Sequence, residues 1–397
     1  MKILHVATRH RWGGAERNLL HSVGWERDRG YEVHVALGRD SDSSDFPVGI
    51  TVHLIRELVR AVRPADDVRA RLALGRLIRE HDFDVVHTHQ SKAGILGRQA
   101  ARRRAPLVVH TVHMPSFGPG YAPYLSRVFL ALERRYAVFT DVMVTVGSEL
   151  LRRYVAARIG RPEQYVVIPS PVDVDAFGQL RTASHEDRAR WRAQLALRDE
   201  EEVVVALGVL VPRKRYELML RELAPLLRGG STTLLIAGEG PLEAALAALA
   251  ASLGIERSVR FLGYVPDVKP LLGVARALVH TSEVEGAPQA VIQALAAGVP
   301  VVATEVEGLY EVEGAPVDQV DRRGHLLADA LSRRLEVGCP HPVPLGALGG
   351  WRRERVEERL RRLHDSLEER LVERRASHPR IRNGQTPSDL ARPRAPR

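Results

Sequence analysis

The stretch Glu285–Thr304, EGAPQAVIQALAAGVPVVAT, places a carboxylate, a predicted helix start and an amide close together. Pro288 suits the first helical position, and Gly298 suits the residue just past the helix end. Glu285 precedes this helix, and Gln293 lies about one and a half turns inside it. Helix-start N–H groups bind anions, and a carboxylate accepts hydrogen bonds from hydroxyls. A ligand that combines phosphates with hydroxyl-rich rings suits all three groups, although a plain capped helix explains the segment as well.

A basic cluster forms the second candidate site. Arg213, Lys214 and Arg215 lie in LGVLVPRKRYEL, after a predicted strand and before a predicted helix. Basic side chains beside a helix start favour a diphosphate, whereas a charged loop kept for solubility is the competing interpretation. If Lys214 binds phosphate, its removal should lower activity and leave the stability of the fold almost unchanged.

Two glycines follow the first predicted strand. Gly13 and Gly14, in RHRWGGAERN, would let the backbone approach a ligand at a helix N-terminus. A tight turn is the more common reason for such a pair. The spacing does not match G-x-G-x-x-G, which argues against a dinucleotide-binding fingerprint.

Four histidines lie at the ends of the fourth and fifth predicted strands, HTHQSKAG and HTVHMPSFG. His87 and His89 are two residues apart, so both can point to one face of a sheet. No acidic residue lies at the close spacing that completes most metal sites, so we expect hydrogen-bonded histidines rather than metal ligands at His87, His89, His110 and His113. His113 differs because it is the last residue before an irregular loop.

The elements that position these residues alternate between short apolar runs and helical segments. The first half contains KILHVAT, YEVHVAL, TVHLI, DVVHTH, PLVVHTVH and DVMVTVG, and the second contains EVVVALGVL, TTLLIAGEG, SVRFLGYV, RALVHTSEV and PVVATEV. This alternation indicates α/β folding with parallel sheets, here two facing Rossmann-like domains divided near Pro169–Phe177. Ligands bind beyond the carboxyl ends of such strands, so we expect a cleft between the domains.

The C-terminal region differs from both halves. Apolar residues recur every three or four positions and predict an amphipathic helix of about twenty residues: Val356, Leu360, Leu363, Leu367 and Leu371. From Glu373 the tail contains seven arginines against two acidic residues, which is a net charge of +5 out of the chain's +9. We expect this tail to be disordered and solvated, with weak attraction to an anionic membrane surface as the alternative. No motif or aromatic interleaving indicates nucleic-acid binding.

Composition restricts the class of protein. The chain has 397 residues, 45% apolar and 27% charged, as expected for a globular protein of two domains. Its single cysteine, Cys339, allows no internal disulfide and no thiolate metal site. No run of about 18 apolar residues and no signal peptide is present, so we expect a cytoplasmic protein.

Taken together, these motifs resemble family 4 of the retaining glycosyltransferases, which have the GT-B architecture. The resemblance extends from Met1 to about Glu311, and the motifs follow the family's order and spacing. It depends on GGAER, DVVHTHQSKAGILGRQAA, HTVH, VGSEL, IAGEGPLE, FLGYV and EGAPQAVIQALAAGVPVVAT.

The resemblance implies a role for each matching residue. His113, Lys214 and Glu285 would contact the donor sugar, the donor phosphates and a sugar hydroxyl, respectively, and form the catalytic set. The remaining donor-binding positions would hold the diphosphate, the ribose and the base: Gly13, Gly14, Arg213, Tyr264, Val265, Gly286, Ala287 and Gln293. The resemblance implies no metal, since the family generally requires none, and no cofactor, with a UDP- or GDP-linked sugar as the donor substrate.

Three positions depart from the family pattern. Val209 stands where the family usually has an arginine, Arg215 where it has a glycine, and Gln293 where it has the second glutamate of its paired-glutamate motif. One phosphate contact is therefore missing unless Arg213 or Arg215 supplies it. An uncompensated loss of a charge-assisted hydrogen bond costs about 1.5–3 kcal/mol, which is one to two powers of ten in affinity.

The resemblance implies a retaining hexosyltransferase that acts on a saccharide or lipid-linked acceptor in cell-surface polysaccharide or glycolipid assembly. A non-catalytic nucleotide-sugar-binding protein and a GT-B-type epimerase are the alternatives. The expected segments are an acceptor domain (1–172), a donor-nucleotide domain (173–350), a helix packing back on the first domain (351–372) and the basic tail (373–397).

Overall fold

The computed structural model describes residues 1–10, 13–118, 121–306, 315–339 and 341–377. The first half of the chain forms a parallel sheet of seven strands, in the order β3-β2-β1-β4-β5-β6-β7. Its strands are β1 (Lys2–Ala7), β2 (Glu32–Gly38), β3 (Thr51–Ile55), β4 (Val85–His89), β5 (Leu107–Val112), β6 (Val142–Thr145) and β7 (Tyr165–Val167). Its helices are α1 (Gly14–Asp28), α2 (Pro64–His81), α3 (Ser91–Ala101), α4 (Pro123–Ala137) and α5 (Ser148–Ala156).

The second half forms a parallel sheet of six strands, in the order β10-β9-β8-β11-β12-β13. Its strands are β8 (Glu202–Leu207), β9 (Thr232–Ala237), β10 (Val259–Phe261), β11 (Ala277–His280), β12 (Val301–Thr304) and β13 (Val317–Val320). Its helices are α6 (Val174–Gly178), α7 (His185–Gln194), α8 (Tyr216–Leu227), α9 (Glu243–Ser252), α10 (Lys269–Val274), α11 (Gln289–Ala296) and α12 (Leu327–Val337).

The predicted architecture is confirmed, because both sheets are parallel, covered by helices and arranged as two facing Rossmann-like domains. Every apolar run identified in the sequence contains a strand. In the inner strands, side chains on both faces are buried, as continuous Val, Ile and Leu runs require, whereas the edge strand β3 leaves Leu54 61% exposed. Two edge strands, β7 and β13, were not predicted. Strand β13 pairs with a neighbour on one side only, so it needs few apolar residues, and its sequence VDQV therefore gives no strand signal.

Helix α13 (Arg353–Ser377) crosses back to the first domain and covers its sheet. Its predicted apolar stripe packs on strands β1, β4, β5 and β6. The helix continues to Ser377, so the prediction that the disordered tail begins at Glu373 is wrong for its first five residues. Arg374 and Arg375 pair with Asp141 and Asp84, which explains the extension. Residues 378–397 lie outside the described part of the chain.

The two domains are also joined through their connecting segment. The backbone N–H of Val172 donates to the carbonyl of Trp351 over 2.8 Å, so the segment leaving the first domain is hydrogen-bonded to the segment that leads into α13. Asn18 of α1 donates to the Ser170 hydroxyl over 3.1 Å. Across the described ranges, no helix combines the length and the apolar character needed to cross a lipid bilayer.

Candidate active site

The basic loop, residues 209–215 between β8 and α8, is held against the end of β11. The Thr281 hydroxyl donates to the Lys214 carbonyl over 2.9 Å. The backbone N–H of Glu283 donates to the Arg213 carbonyl over 2.8 Å. The loop therefore has a fixed position before any ligand binds, which is the property that electrostatic catalysis requires.

Lys214 and Glu285 form an ion pair in which Nζ lies 2.5 Å from Oε1. The side chains are 13% and 7% exposed, so the pair is largely shielded from water. His280, the last residue of β11, places Nε2 3.4 Å from the same carboxylate oxygen. The lysine ammonium has three donors and the carboxylate has about four acceptor sites, so each group keeps capacity for a ligand.

Burial and charge shift the pKa values of this pair. Burial lowers the pKa of Lys214, and neighbouring Arg213 lowers it further, although Glu285 opposes both effects. Burial alone would raise the pKa of Glu285, but Lys214 and His280 outweigh it and hold that pKa well below its usual range. Glu285 is therefore ionised at neutral pH and acts only as a hydrogen-bond acceptor.

Arg213 and Arg215 have different roles in the basic loop. The Nη1 atom of Arg213 is buried and has no hydrogen-bond partner among the described residues. Burial raises the pKa of Glu16 of α1, and the positive charges of Arg9, Arg60 and, to the smallest extent, Arg213 oppose this rise. Arg215 adopts a left-handed conformation with φ of 54°, which explains why glycine is usual at this position in the resembled family. Of the two arginines, Arg213 is the one with a buried guanidinium nitrogen that lacks a hydrogen-bond partner among the described residues.

Two helix N-termini meet where the domains face each other. A side-chain carbon at Gly14, the first residue of α1, would lie 3.6 Å from the side chain of Gln289, the first residue of α11. The two helix starts are therefore neighbours, and each carries the positive end of its helix dipole. Pro288 lies just before α11 rather than in its first turn. Gly13 has extended backbone, so its conformation alone does not require glycine.

Gly286 brings the Glu285 loop against the first domain. A Cβ at this position would lie 1.9 Å from the carbonyl oxygen of His113, so only glycine allows the approach. His113 directly follows β5 and is buried. The next residue of the loop, Ala287, packs on a cluster that contains Val112. Thus His113, Glu285 and Lys214, predicted separately from three motifs, lie together.

The predicted base and ribose positions lie further along the donor domain. The N–H of Tyr264 donates to Glu239 over 3.4 Å, and Glu239 in turn accepts from the N–H of Leu210 in the basic loop over 2.9 Å. Tyr264 and Val265 are half-buried, as is Gln293 within α11. Tyr264 is thus linked through Glu239 to the basic loop, and Gln293 belongs to the helix that begins after Glu285.

The histidines at the strand ends form a buried cluster. His87 and His89 share a face of β4, as predicted, with ring centroids 4.4 Å apart. His5 of β1 joins them, and ligand atoms of these three histidines lie within 4.8 Å of one another, so this is a group that could hold a metal ion. His110 points elsewhere and contacts Thr88, with Nδ1 2.9 Å from Oγ1. Burial lowers the pKa of His113 to about 4.

Sequence reasoning missed several residues of this region. His280 could have been found, because it lies at the carboxyl end of a strand in the second domain, the same kind of position that marked the predicted residues. Glu16 and Gln289 lie in the first turns of α1 and α11 and gave no signal beyond helix capping. His5, Glu26 and His364 could not be found, since their contacts join residues far apart in the chain.

Comparisons with known proteins define the class. Residues 12–176 match the model for Glycosyltransferase Family 4, and residues 187–329 match the model for Glycosyl transferases group 1. A GDP-mannose-dependent alpha-(1-6)-phosphatidylinositol monomannoside mannosyltransferase of Mycolicibacterium smegmatis is 32% identical over 298 residues, which is 70% of this chain and 75% of that protein. The chain therefore belongs to the family 4 glycosyltransferases.

Two further proteins are similar to the chain. The UDP-Gal:alpha-D-GlcNAc-diphosphoundecaprenol alpha-1,3-galactosyltransferase of Escherichia coli is 25% identical over 315 residues, which is 78% of this chain and 80% of that protein. The crystal structure of HepE from Anabaena, in complex with UDP and glucose, superposes with a TM-score of 0.73 at 21% identity and covers 93% of this chain and 99% of that one. This likeness confirms the GT-B fold.

Proposed function

We propose that this glycosyltransferase moves a sugar from a UDP- or GDP-linked donor to an acceptor hydroxyl with retention of anomeric configuration. The observation that supports this most strongly is the preformed anion site. It consists of Lys214, the buried Nη1 of Arg213, which has no partner among the described residues, and the neighbouring N-termini of α1 and α11. A diphosphate satisfies all of these groups at once.

Each predicted residue has a role in this scheme. Lys214 and Arg213 neutralise the diphosphate, helped by the helix starts at Gly13 and Gly14 and at Gly286 and Ala287. Glu285, ionised by its neighbours, accepts a hydrogen bond from a hydroxyl of the transferred sugar, and His113 contacts the same sugar. Gln293 contacts the ribose, and the backbone of Tyr264 and Val265 borders the base.

The chemistry breaks the bond between the anomeric carbon and the diphosphate oxygen. Charge develops on that oxygen, where Lys214 and Arg213 stabilise it without having to reorganise. The acceptor oxygen attacks from the face that the diphosphate leaves, and its proton passes to the departing phosphate oxygen. Configuration is thereby retained with no covalent enzyme intermediate, and we propose no metal or cofactor.

We further propose a saccharide or lipid-linked acceptor and a peripheral position on the cytoplasmic face of a membrane. The similar E. coli and M. smegmatis enzymes are named for lipid-linked acceptors. Helix α4 of the acceptor domain exposes Tyr124 and Val128, which are 67% and 52% exposed. Arg127 and Arg135 are exposed on the same helix. Apolar and basic side chains on one helix suit an anionic lipid surface.

The function is tested by incubating the protein with a panel of UDP- and GDP-sugars and lipid-linked saccharides, with release of nucleoside diphosphate as the readout. We expect turnover of one donor, with the new linkage in the donor's anomeric configuration by NMR. Lys214→Ala should lower turnover at least 100-fold. Lys269→Ala, on the exposed surface of the same domain, is the matched control and should not change it.

Two outcomes contradict the proposal. Thermal stabilisation by a nucleotide sugar without turnover of any acceptor would favour the non-catalytic binding protein. A product of inverted configuration would exclude the retaining mechanism.

A further inference from the structure

A continuous line of buried side chains connects His113 to helix α13. Nε2 of His113 lies 3.1 Å from Nδ1 of His89, and Nε2 of His89 lies 2.9 Å from Nδ1 of His5. Nε2 of His5 lies 2.6 Å from Glu26, and the other carboxylate oxygen lies 2.9 Å from Nε2 of His364. All five side chains are buried, between 0% and 8% exposed. We call His113, His89, His5, Glu26 and His364 the histidine chain.

The positions of the protons can be assigned from the Glu26 end. An ionised carboxylate only accepts hydrogen bonds, so both His5 and His364 must carry a proton on the Nε2 atoms that contact it. Nδ1 of His364 lies 2.8 Å from the carbonyl oxygen of Leu360, which also only accepts. His364 therefore carries protons on both nitrogens and is an imidazolium cation that balances the charge of Glu26.

Electrostatics agree with this assignment. Burial alone would lower the pKa of His364, but its hydrogen bond to Glu26 raises that pKa. Burial alone would also raise the pKa of Glu26, yet His5 and His364 lower it. The result is a buried pair of one anion and one cation.

The assignment propagates along the chain of rings. With its proton on Nε2, neutral His5 accepts at Nδ1 from Nε2–H of His89. Neutral His89 then accepts at Nδ1 from Nε2–H of His113, and the lone pair of His113 is left on Nδ1. While Glu26 stays ionised, the order of donors and acceptors would reverse only if His5 gained a second proton. The buried cluster would then hold two cations against one carboxylate, which is unfavourable away from water.

We propose that Glu26, held ionised by His364, fixes the tautomer of His113 through His5 and His89, with the proton on Nε2 and the lone pair on Nδ1. His113 then offers an acceptor to a hydroxyl of the donor sugar, a part of the inference that rests on the proposed function. Glu26, His5, His89 and His364 are positioning residues, and α13 contributes to a site that none of its residues contacts.

A shared metal ion is the competing explanation for His5, His87 and His89. Two imidazole nitrogens on one tetrahedral zinc would lie roughly 3.3 Å apart, given Zn–N bonds of about 2.0–2.1 Å. His5 and His89 instead approach to 2.9 Å, a hydrogen-bond distance. Nε2 of His87 lies 2.7 Å from the Thr111 hydroxyl. The geometry favours protons between these rings.

The direct test is NMR of the full chain labelled with ¹⁵N-histidine, with signals assigned through single-histidine variants. We expect His113 to show a protonated Nε2 and an unprotonated Nδ1, and His364 to show two protonated nitrogens at neutral pH. Glu26→Gln should keep the His113 tautomer, because the amide oxygen can still accept from His5. Its NH₂ group would then donate to His364, which should become neutral and lose the proton on Nε2.

Glu26→Leu removes the acceptor and should leave His113 as a mixture of tautomers. The loss of one oriented hydrogen bond should lower kcat by up to about tenfold, with a smaller change in KM. Glu26→Gln should restore kcat to within about twofold if the tautomer is retained. Glu133→Gln is the matched control, a buried carboxylate of the same domain paired with Arg98 outside the histidine chain. It should not alter the His113 signals even if it lowers stability.

Several results would overturn the inference. They are a proton on Nδ1 of His113 in the wild type, a neutral His364 in the wild type, and a stoichiometric metal ion that shifts the His5 and His89 signals on chelation. If Glu26→Leu does not fold, the His364 signals of Glu26→Gln decide. Because the tautomers are read without a donor, inactivity of the wild type with every nucleotide sugar would refute the proposed function and leave the tautomer assignment intact.

Discussion

Replacing Lys214 with methionine tests the ion pair and the proposed chemistry together. The sequence alone predicts a loss of activity with little change in stability. The structure changes that expectation, because the Lys214 ammonium lies 2.5 Å from a Glu285 carboxylate that is only 7% exposed. Lys214→Met leaves this carboxylate in a poorly hydrated position, with His280 3.4 Å away and Arg213 as the remaining basic neighbours.

The cost can be estimated from burial. Removing one partner of a fully buried ion pair costs about 3–5 kcal/mol. Lys214 keeps some exposure to water, and His280 and Arg213 remain near Glu285, so the expected loss of stability is smaller, about 2–3 kcal/mol. A domain of this size loses about 2–4 °C per kcal/mol, so the melting temperature should fall by about 4–12 °C. The double variant Lys214→Met/Glu285→Gln removes both charges and should recover most of that loss, with a coupling energy of about 1–3 kcal/mol.

Activity should respond differently from stability. Both the single and the double variant should lose at least about 100-fold in kcat, because neither retains the Lys214 ammonium that we propose stabilises the departing diphosphate together with Arg213. Calorimetric melting and nucleoside diphosphate release, measured on the same four proteins of the cycle, separate the two effects. A single variant as stable as the wild type would refute the buried pair. A double variant that regained turnover would refute the phosphate role of Lys214.

Three further substitutions have defined outcomes. Gln293→Glu should raise nucleotide affinity by up to about tenfold in calorimetry if the side chain faces the ribose; a destabilised protein with unchanged affinity would place it in the core instead. Arg215→Gly should raise the melting temperature, because the left-handed conformation costs about 1–2 kcal/mol for a non-glycine residue; a lower value would contradict this. The pKa of His364 is raised in the folded protein, so its pairing with Glu26 stabilises the fold fully at any pH below the pKa that His364 has in the unfolded chain. This stabilisation is lost as the pH rises through the pKa that His364 has in the folded protein. The melting-temperature deficit of His364→Gln should therefore be largest below about pH 6 and shrink toward pH 9; a constant deficit would exclude a charged His364.

Much of the fold could be predicted because it depends on local patterns. Strands buried on both faces are continuous apolar runs, and the stripe of α13 repeats every three or four residues, so both elements are evident in the sequence. Strand β13, VDQV, escaped prediction because an edge strand needs few apolar residues, and β7, YVV, escaped because three residues are too few to form a clear pattern. The extension of α13 to Ser377 depends on ion pairs of its last turn with Asp84 and Asp141, which no local pattern contains.

The candidate site likewise contains some residues that local sequence patterns predict and others that they do not. Lys214, Glu285 and His113 follow strands or precede a helix, and the carboxyl ends of parallel strands gather such residues by topology alone. Glu26 gave no such signal, because it lies in the last turns of α1, where a glutamate is ordinarily solvated. Only the packing of α13 on the first sheet removes water from it, and its partner His364 is 338 residues away in the chain.

Helix α13 therefore has a second role in addition to covering the sheet. Its leucines exclude water, while His364, in the same buried stripe, supplies the positive charge that keeps the Glu26 carboxylate ionised. A leucine at position 364 could cover the sheet equally well, but Glu26 would then be buried with His5 as its one remaining hydrogen-bond partner among the described residues, and would tend to take up a proton. A protonated Glu26 can donate to His5, and the order of donors and acceptors along the histidine chain would reverse as far as His113. The helix that closes the first domain thus also determines which nitrogen of His113 is available to a ligand.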